Sequence, residues 1–270
     1  MSTPIGNLGD ITIRGLEILA SADLIACEDT RVTGKLLSHF GIKAKMHSYH
    51  EYNADKEGAI IIERLKKGEV VALASDAGTP LVSDPGQRLV ALARENDLPV
   101  FPVPGASAPL AAITASGFST QRFTFFGFLP PKQVARQSEL KKLLDEKGTL
   151  AFFEGPSRLA ACLSDMALVL GEDRQGAVCR ELTKMHEEVQ RDSLANLASY
   201  YEQYPPRGEI VIVLAPKDEE QTLDIDALLL ELLQTMSVSR AASEAAKLTG
   251  RAKRDLYQKA LFLKEQSQIG

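Results

Sequence analysis

Val70-Val-Ala-Leu-Ala-Ser-Asp-Ala-Gly-Thr-Pro80 passes from an apolar run straight into a loop with no bulky side chain. The run is short and β-branched at its start, which predicts a buried strand rather than a helix. The loop Ser75–Pro80 brings hydroxyls, one carboxylate and a hinge glycine to the carboxyl end of that strand. In an open α/β sheet, ligands bind at that end. Asp84-Pro85-Gly86 follows, and the pattern predicts a helix with Asp84 as N-cap and Pro85 in its first turn.

Outward from this stretch, strands and helices alternate. Ala22–Cys27 reads as a strand ending in Glu28-Asp29-Thr30-Arg31, with Thr30 as the cap of a helix to Phe40. A helix over Asp55–Lys67, a strand over Leu98–Val103 and a small-residue helix from Pro104 to Gly117 complete a half expected to form a mostly parallel sheet covered on both faces. Past Gly117 the grammar changes. Strands are expected at Arg122–Phe128, Thr149–Glu154, Gly176–Leu182, Glu187–Asp192 and Glu209–Ala215, with helices at Gln133–Glu146 and Ser157–Leu170. Several of these strands have no helix between them, which predicts a mixed α+β half. The expected division is a first α/β domain over 1–118, a second α+β domain over 119–216, and a helical appendage over 222–270 after a charged linker at 216–222.

Composition narrows the function. The chain has 270 residues, 44% hydrophobic and 25% charged, as in a soluble globular protein. It holds no run of 18 apolar residues and no secretory leader pattern at Met1–Asp10, so neither export nor membrane spanning is expected. Cys27, Cys162 and Cys179 are far apart, and His39, His47, His50 and His186 lack ligand spacing. No metal site is therefore expected, and a reducing cytoplasm is the expected compartment. A net charge of −5 argues against a general nucleic-acid binder, but Ser237–Lys264 carries seven basic residues against two acidic ones. With its Ser239–Gly250 pattern, that stretch resembles a helix-turn-helix with a basic face suited to nucleic acid.

Thr3–Leu8, Ser75–Pro80 and Val103–Ala108 are three small Gly/Pro-marked loops, and Arg180–Lys184 is a fourth motif. They suit a ligand held by backbone groups. Neither Gly-x-x-x-x-Gly-Lys-Ser/Thr nor a Gly-x-Gly-x-x-Gly after a strand is present, so an ordinary phosphate cradle is not expected.

Taken together, Thr3-Pro-Ile-Gly-Asn-Leu, Glu28-Asp-Thr-Arg, Ser75-Asp-Ala-Gly-Thr-Pro, Pro104-Gly-Ala-Ser-Ala, Gly127-Phe-Leu-Pro, Arg180-Glu-Leu-Thr-Lys and Gly208-Glu-Ile-Val-Ile-Val resemble the tetrapyrrole-methylase superfamily. The likeness spans about residues 3–215, and within the superfamily it is closest in style to the bacterial rRNA cytidine 2′-O-methyltransferases. The resemblance implies a two-domain enzyme, usually a homodimer, that folds S-adenosylmethionine into the cleft between its domains. Its implied target is a cytidine 2′-hydroxyl in the decoding region of small-subunit (16S) ribosomal RNA, free or in the 30S particle. An apolar strand precedes the first loop in the family, whereas only Met1 and Ser2 do here, so the first sheet is expected to lack it.

The implied cofactor residues are Pro4, Gly6, Ser75, Asp76, Ala77, Gly78, Thr79, Gly105, Ala106, Ser107, Ala108, Phe153, Glu154, Leu182, Thr183 and Glu209. Asp76 either accepts hydrogen bonds from the ligand or caps its own turn. Catalytic candidates are Glu28, Asp29, Arg31, Glu181 and Lys184, as base or as cation beside a developing alkoxide. Two other readings stand beside this one. One is a corrin-type small-molecule methyltransferase of the same superfamily; the other is a DNA-binding regulator whose α/β body senses a ligand. Basic residues at Arg122–Arg136 and in the tail favour RNA over the first. Against the second, a single helix-turn-helix would need dimeric half-site geometry, and only the tail is basic.

Overall fold

Two sheets carry the first part of the chain, and the continuous apolar runs of their central strands explain how both faces of each are covered. The computed structural model describes residues 1–217, 225–249 and 252–267. These fall into two compact units, Met1–Lys217 and Asp218–Gly270.

The first sheet is parallel, in the order β2 (Met46–Ser48), β1 (Leu24–Cys27), β3 (Val71–Ala74). Because successive side chains point to opposite faces, Leu24 and Ala26 pack on α3 (Ala54–Lys66) and α4 (Gln87–Glu95). Ile25 and Cys27 pack on α1 (Ile13–Ser21) and α2 (Thr30–His39). Met1 lies against β3 and Ser2 against the segment that leads up to Ala108: the Met1 amine donates to the Leu73 carbonyl at 2.7 Å and the Ser2 amide to the Val103 carbonyl at 3.0 Å.

α5 (Ala108–Ser116) leads from this sheet to the second, which runs β4 (Phe123–Phe128), β5 (Thr149–Glu154), β8 (Ile210–Leu214), β6 (Gln175–Arg180), β7 (Glu188–Ser193). β4 and β5 are parallel and the other pairs antiparallel, so the sheet is mixed. Phe152, Val178 and Ile212 face α6 (Gln133–Lys141), α7 (Leu159–Leu170) and α8 (Leu194–Gln203). Ala151, Ala177, Val211 and Val213 face Ala112 and Ile113 of α5. Each fully buried Leu, Ile or Phe contributes about 1.5–3 kcal/mol of apolar transfer. The second unit holds α9 (Ile225–Thr235), α10 (Val238–Thr249) and α11 (Lys253–Ser267), closed around Leu229, Ala242, Ala245, Leu256 and Ala260. No described helix is long and apolar enough to cross a membrane.

Several elements differ from the sequence reading. Leu98–Val103 joins no ladder, because Pro99 and Pro102 remove two of the donors a paired strand would use. Thr30 does not cap α2: Asp29 does, its carboxylate accepting from the Arg31 amide. The helix expected to Glu146 ends at Lys141, and α8 is an element that the reading did not include. Asp84 is not an N-cap. α4 begins only at Gln87, after Gly86 at φ 132°, where a Cβ would come within 2.8 Å of the Leu73 side chain. The linker at 216–222, Gly250 and Arg251 fall largely or wholly outside the described residues.

Candidate functional site

The sheet register dictates where chemistry gathers. Cys27 pairs with Ser48 and with Ala74, so Glu28-Asp29, Tyr49-His50 and Ser75-Asp76 leave the first sheet side by side. Ile210 pairs with both Glu154 and Arg180, so the ends of β5 and β6 and the start of β8 likewise meet at one edge of the second. Between these two groups lies a cleft of about 400 Å³, of a size suited to a small organic ligand.

Of the cofactor residues expected, Asp76, Ala77, Gly78, Thr79, Ser107, Ala108, Phe153, Glu154, Leu182 and Glu209 line this cleft. Ser75 lies behind the wall, its hydroxyl donating to the Gly78 carbonyl at 2.9 Å. Ala106 supports from outside by accepting from the Thr79 hydroxyl at 3.2 Å. Thr3 and Gly78 exchange backbone hydrogen bonds of 2.9 and 3.0 Å, which seats the first loop against the second. Pro4, Gly6, Gly105 and Thr183 are not in the wall; Gly6 lies against the Lys184 stem and Gly105 against Ser2. Asp76 accepts from the Asp29 amide at 3.0 Å, tying the two strand ends together.

The catalytic candidates separate by electrostatics. Hydrogen bonds from the Arg31 guanidinium and amide hold the Asp29 carboxyl down at about 2, and Arg31 is spent on that contact. Glu181 is also lowered, by the Lys184 ammonium and the Glu209 amide. For Lys184, burial favours the neutral amine, but hydrogen bonds to Glu181 and Glu209 outweigh it and raise its pKa, keeping it a cation. Glu28 goes the other way: burial and then the neighbouring Asp76 raise it, while His50 opposes. Asp84, in the cleft wall, is pushed up to about 6 by burial and then by Glu28, with the Ser75 hydroxyl opposing. Environments that push carboxyl groups apart in this way separate anchors from proton acceptors.

Sequence reasoning missed Ser83, Asp84, Phe128 and Gly208, all of which line the cleft. Phe128 lies in the Gly127-Phe-Leu-Pro motif, and the Asp-Pro-Gly pattern reads Asp84 as a cap. Arg136, counted among basic residues for RNA, is buried and paired with Asp165. Among the described residues no group of three His, Cys, Asp or Glu side chains could hold a metal.

The profile of the tetrapyrrole (corrin/porphyrin) methylases matches residues 2–198. The chain belongs to this family. A second profile, the RsmI C-terminal HTH domain, matches residues 219–264 of this tetrapyrrole methylase. A relative from Mesorhizobium japonicum, named ribosomal RNA small subunit methyltransferase I, is 50% identical over 100% of this chain and 93% of its own length. Relatives of the same name from Synechocystis and Escherichia coli O157:H7 are each 43% identical, over 97% and 96% of this chain and 96% and 92% of theirs. Among solved structures, a cobalt-precorrin-4 methyltransferase superposes with a TM-score of 0.60 at 20% identity, covering 78% of this chain and 90% of that one. A uroporphyrin-III C-methyltransferase from Thermus thermophilus, complexed with S-adenosylhomocysteine, gives 0.55 at 17% identity, covering 78% and 93%.

The residues of this cleft fit S-adenosylmethionine. Glu154 is buried; its Oε1 is held by the Gly155 amide at 2.7 Å and Arg158 at 2.6 Å. Its Oε2 is buried with no N–H or O–H donor among the described residues, the Cys162 thiol being a weak neighbour of the carboxylate. That oxygen is closed off beside the α7 core and does not face the cleft. The fit lies in charge: the wall carries Asp76, Asp84, Glu154 and Glu209 and, among the described residues, no Lys, Arg or His, which suits a donor bearing a sulfonium and an ammonium. Ile5, Phe153 and Leu182 supply apolar wall for a nucleoside.

Proposed function

We propose that this methylase transfers a methyl group from S-adenosylmethionine to the 2′-hydroxyl of a cytidine in the decoding region of small-subunit ribosomal RNA. The observation that carries the reading is the full-length 50% identity to a ribosomal RNA small subunit methyltransferase I, together with a cleft whose wall fits the donor. The donor supplies an electrophilic methyl group on a sulfonium that carries its own leaving group. The protein's task is then to hold, align and deprotonate. Asp76–Thr79 and Ser107–Ala108 form one wall, while Phe153–Glu154, Leu182 and Glu209 form the other. Asp29 and Arg31 lock the start of α2 beside Asp76, and Lys184 locks Glu181 to Glu209. Glu28, its pKa raised by burial and then by Asp76, stands behind the wall of Asp76–Thr79 as a charged neighbour of Asp84.

In the second unit Arg240, Lys247, Lys253, Arg254, Lys259 and Lys264 are exposed, which supports RNA rather than a small corrin as acceptor. Reversing Arg240, Lys253 and Arg254 to Glu is expected to weaken small-subunit RNA binding at least tenfold and to flatten its salt dependence. Calorimetry of the same variant with S-adenosylmethionine is expected to match wild type; equal RNA affinity would remove the tail from recognition. The function itself is read by mass spectrometry of ribosomal RNA nucleosides from cells with and without the gene. Loss of 2′-O-methylcytidine on deletion is expected, and an unchanged nucleoside profile would overturn the assignment.

A further inference from the structure

We propose that the end of the cleft between Ser83–Asp84 and Gly127–Phe128 is the acceptor subsite. There the Phe128 ring stacks on the target base and the Asp84 carboxylate takes the proton of the hydroxyl being methylated. The inference rests on the functional reading above and adds to it the groups that receive the nucleotide.

Three observations converge on this end. Phe128 closes β4 and lines the cleft, yet 57% of it is exposed. Its ring centroid lies 5.4 Å from that of Phe153, which in turn meets Phe125 edge-on at 4.8 Å. A large exposed ring backed by two others is a platform, and unstacked RNA bases bind such platforms in a sequence-tolerant way. Next, Gly127 approaches the other wall so closely that a Cβ on it would stand 3.0 Å from the Ser83 hydroxyl. Asp84 and Phe128 are each one residue from that contact, so carboxylate and ring flank the same end of the cavity. Finally, the loop that delivers Asp84 holds Leu81 at φ 71° and Ser83 at φ 63°, a conformation uncommon outside glycine.

The charges around Asp84 suit a proton acceptor. Glu28 from the end of β1 and Asp76 from the loop after β3 face it, and Glu154 and Glu209 stand in the opposite wall. With its ionisation near 6, Asp84 is charged at neutral pH and still basic enough to accept a proton; Asp29, held at about 2, is not. In the step, a bond forms between the acceptor oxygen and the methyl carbon as the methyl–sulfur bond breaks, its electron pair staying on sulfur. The O–H pair stays on oxygen and the proton passes to Asp84, so a sulfonium and a carboxylate become a neutral thioether and a neutral acid.

The test is single-turnover methylation of small-subunit particles between pH 5 and 9, with calorimetry for S-adenosylmethionine and thermal melting alongside. Wild type is expected to gain rate as pH rises through about 6 and then level off. Asp84→Asn is expected to be at least tenfold slower with that inflection gone, and to keep its donor affinity. It should melt no lower than wild type at pH 8, because burial and like charges oppose the ionised form in the fold and the amide removes that opposition. Phe128→Ala is expected to raise KM for the particle at least fivefold with donor affinity intact, and Phe128→Trp to restore it. An Asp84→Asn variant that keeps rate and inflection, or a Phe128→Ala variant that weakens donor rather than RNA binding, overturns the subsite alone. A wild-type protein that methylates no RNA overturns the functional reading and the subsite with it.

Discussion

Arg136→Ala is expected to cost the fold about 3–5 kcal/mol, the range for leaving one partner of a buried ion pair uncompensated. Arg136 and Asp165 are only 4% and 2% exposed, yet both are ionic. The guanidinium donates to Asp165 Oδ2 at 2.7 Å through Nε and lies at 2.6 Å through its second terminal nitrogen. It also donates to the Pro131 carbonyl at 3.1 Å. Gln133 and Gln137 donate to Asp165 Oδ1 at 3.2 and 2.7 Å, so the carboxylate is fully partnered. Burial would raise the Asp165 pKa, but these donors outweigh it and lower it. The sign follows: this stabilisation is complete above the carboxyl's ordinary value near 3.9, and it is lost as pH falls through the lower folded value. At 2–4 °C per kcal/mol for a unit of this size, the melting temperature should drop by roughly 10 °C. Replacing both partners, Arg136→Met with Asp165→Leu, should recover most of that loss, because an apolar pair of similar volume strands no charge. A single variant that melts within about 2 °C of wild type would show that water already reaches the pair. Because Arg136 grips Pro131, three residues after Phe128, its loss should also blur one wall of the cleft.

Much of this architecture was legible in the chain because local signals and long-range packing agree there. Leu24–Cys27 and Ile210–Leu214 are apolar runs between punctuating residues, and each is a buried central strand, while Val71–Ala74, read the same way, is an edge strand buried at alternate residues. The small-residue loops at 75–80 and 103–108 read as ligand walls because such loops at strand ends expose backbone, and half of their residues, Asp76–Thr79 with Ser107 and Ala108, do line the cleft. Charge misled where sequence hides burial. Arg136 counts as basic in any composition, and only the packing of α6 against α7 reveals that its charge is used inside. Asp84 failed for a related reason: Asp-Pro-Gly is a strong helix-start pattern, but Leu81, Ser83 and Gly86 adopt backbone angles that no propensity signals. Asp29 and Lys184 were legible as charged residues near the site. The partners of Lys184 depend on the end of β6 meeting the start of β8, a matter of register across the 28 residues between Glu181 and Glu209, whereas Asp29 is neutralised by Arg31 two residues on.

Lys184→Ala is expected to lower donor affinity and turnover together by ten- to a hundredfold while barely moving the melting temperature. The Lys184 ammonium lies 2.7 Å from Glu181 Oε1 and 2.8 Å from Glu209 Oε2. Glu181 Oε1 also accepts from the Glu209 amide at 2.9 Å, and the Glu181 amide donates to the Glu209 carbonyl at 2.9 Å. One cation thus ties the turn after β6 to the entry of β8, and Glu209 itself lines the cleft. Its raised pKa means that it stays protonated at neutral pH, so it acts by position and not as a base. Without it, two carboxylates face one another and the wall they form spreads. The stability effect is small because half-exposed ion pairs contribute about 0–1 kcal/mol. Lys184→Arg should keep most of the activity, since a guanidinium can span two carboxylates. A second route to the same wall is Gly208→Ala. Gly208 sits at φ 91° with the Glu181 carboxylate where a Cβ would stand, so the methyl group must displace Glu181 and should reproduce the Lys184→Ala phenotype. Calorimetry with S-adenosylmethionine separates the outcomes. Wild-type affinity in both variants would mean that the clamp trims the surface and leaves the donor site to hold itself.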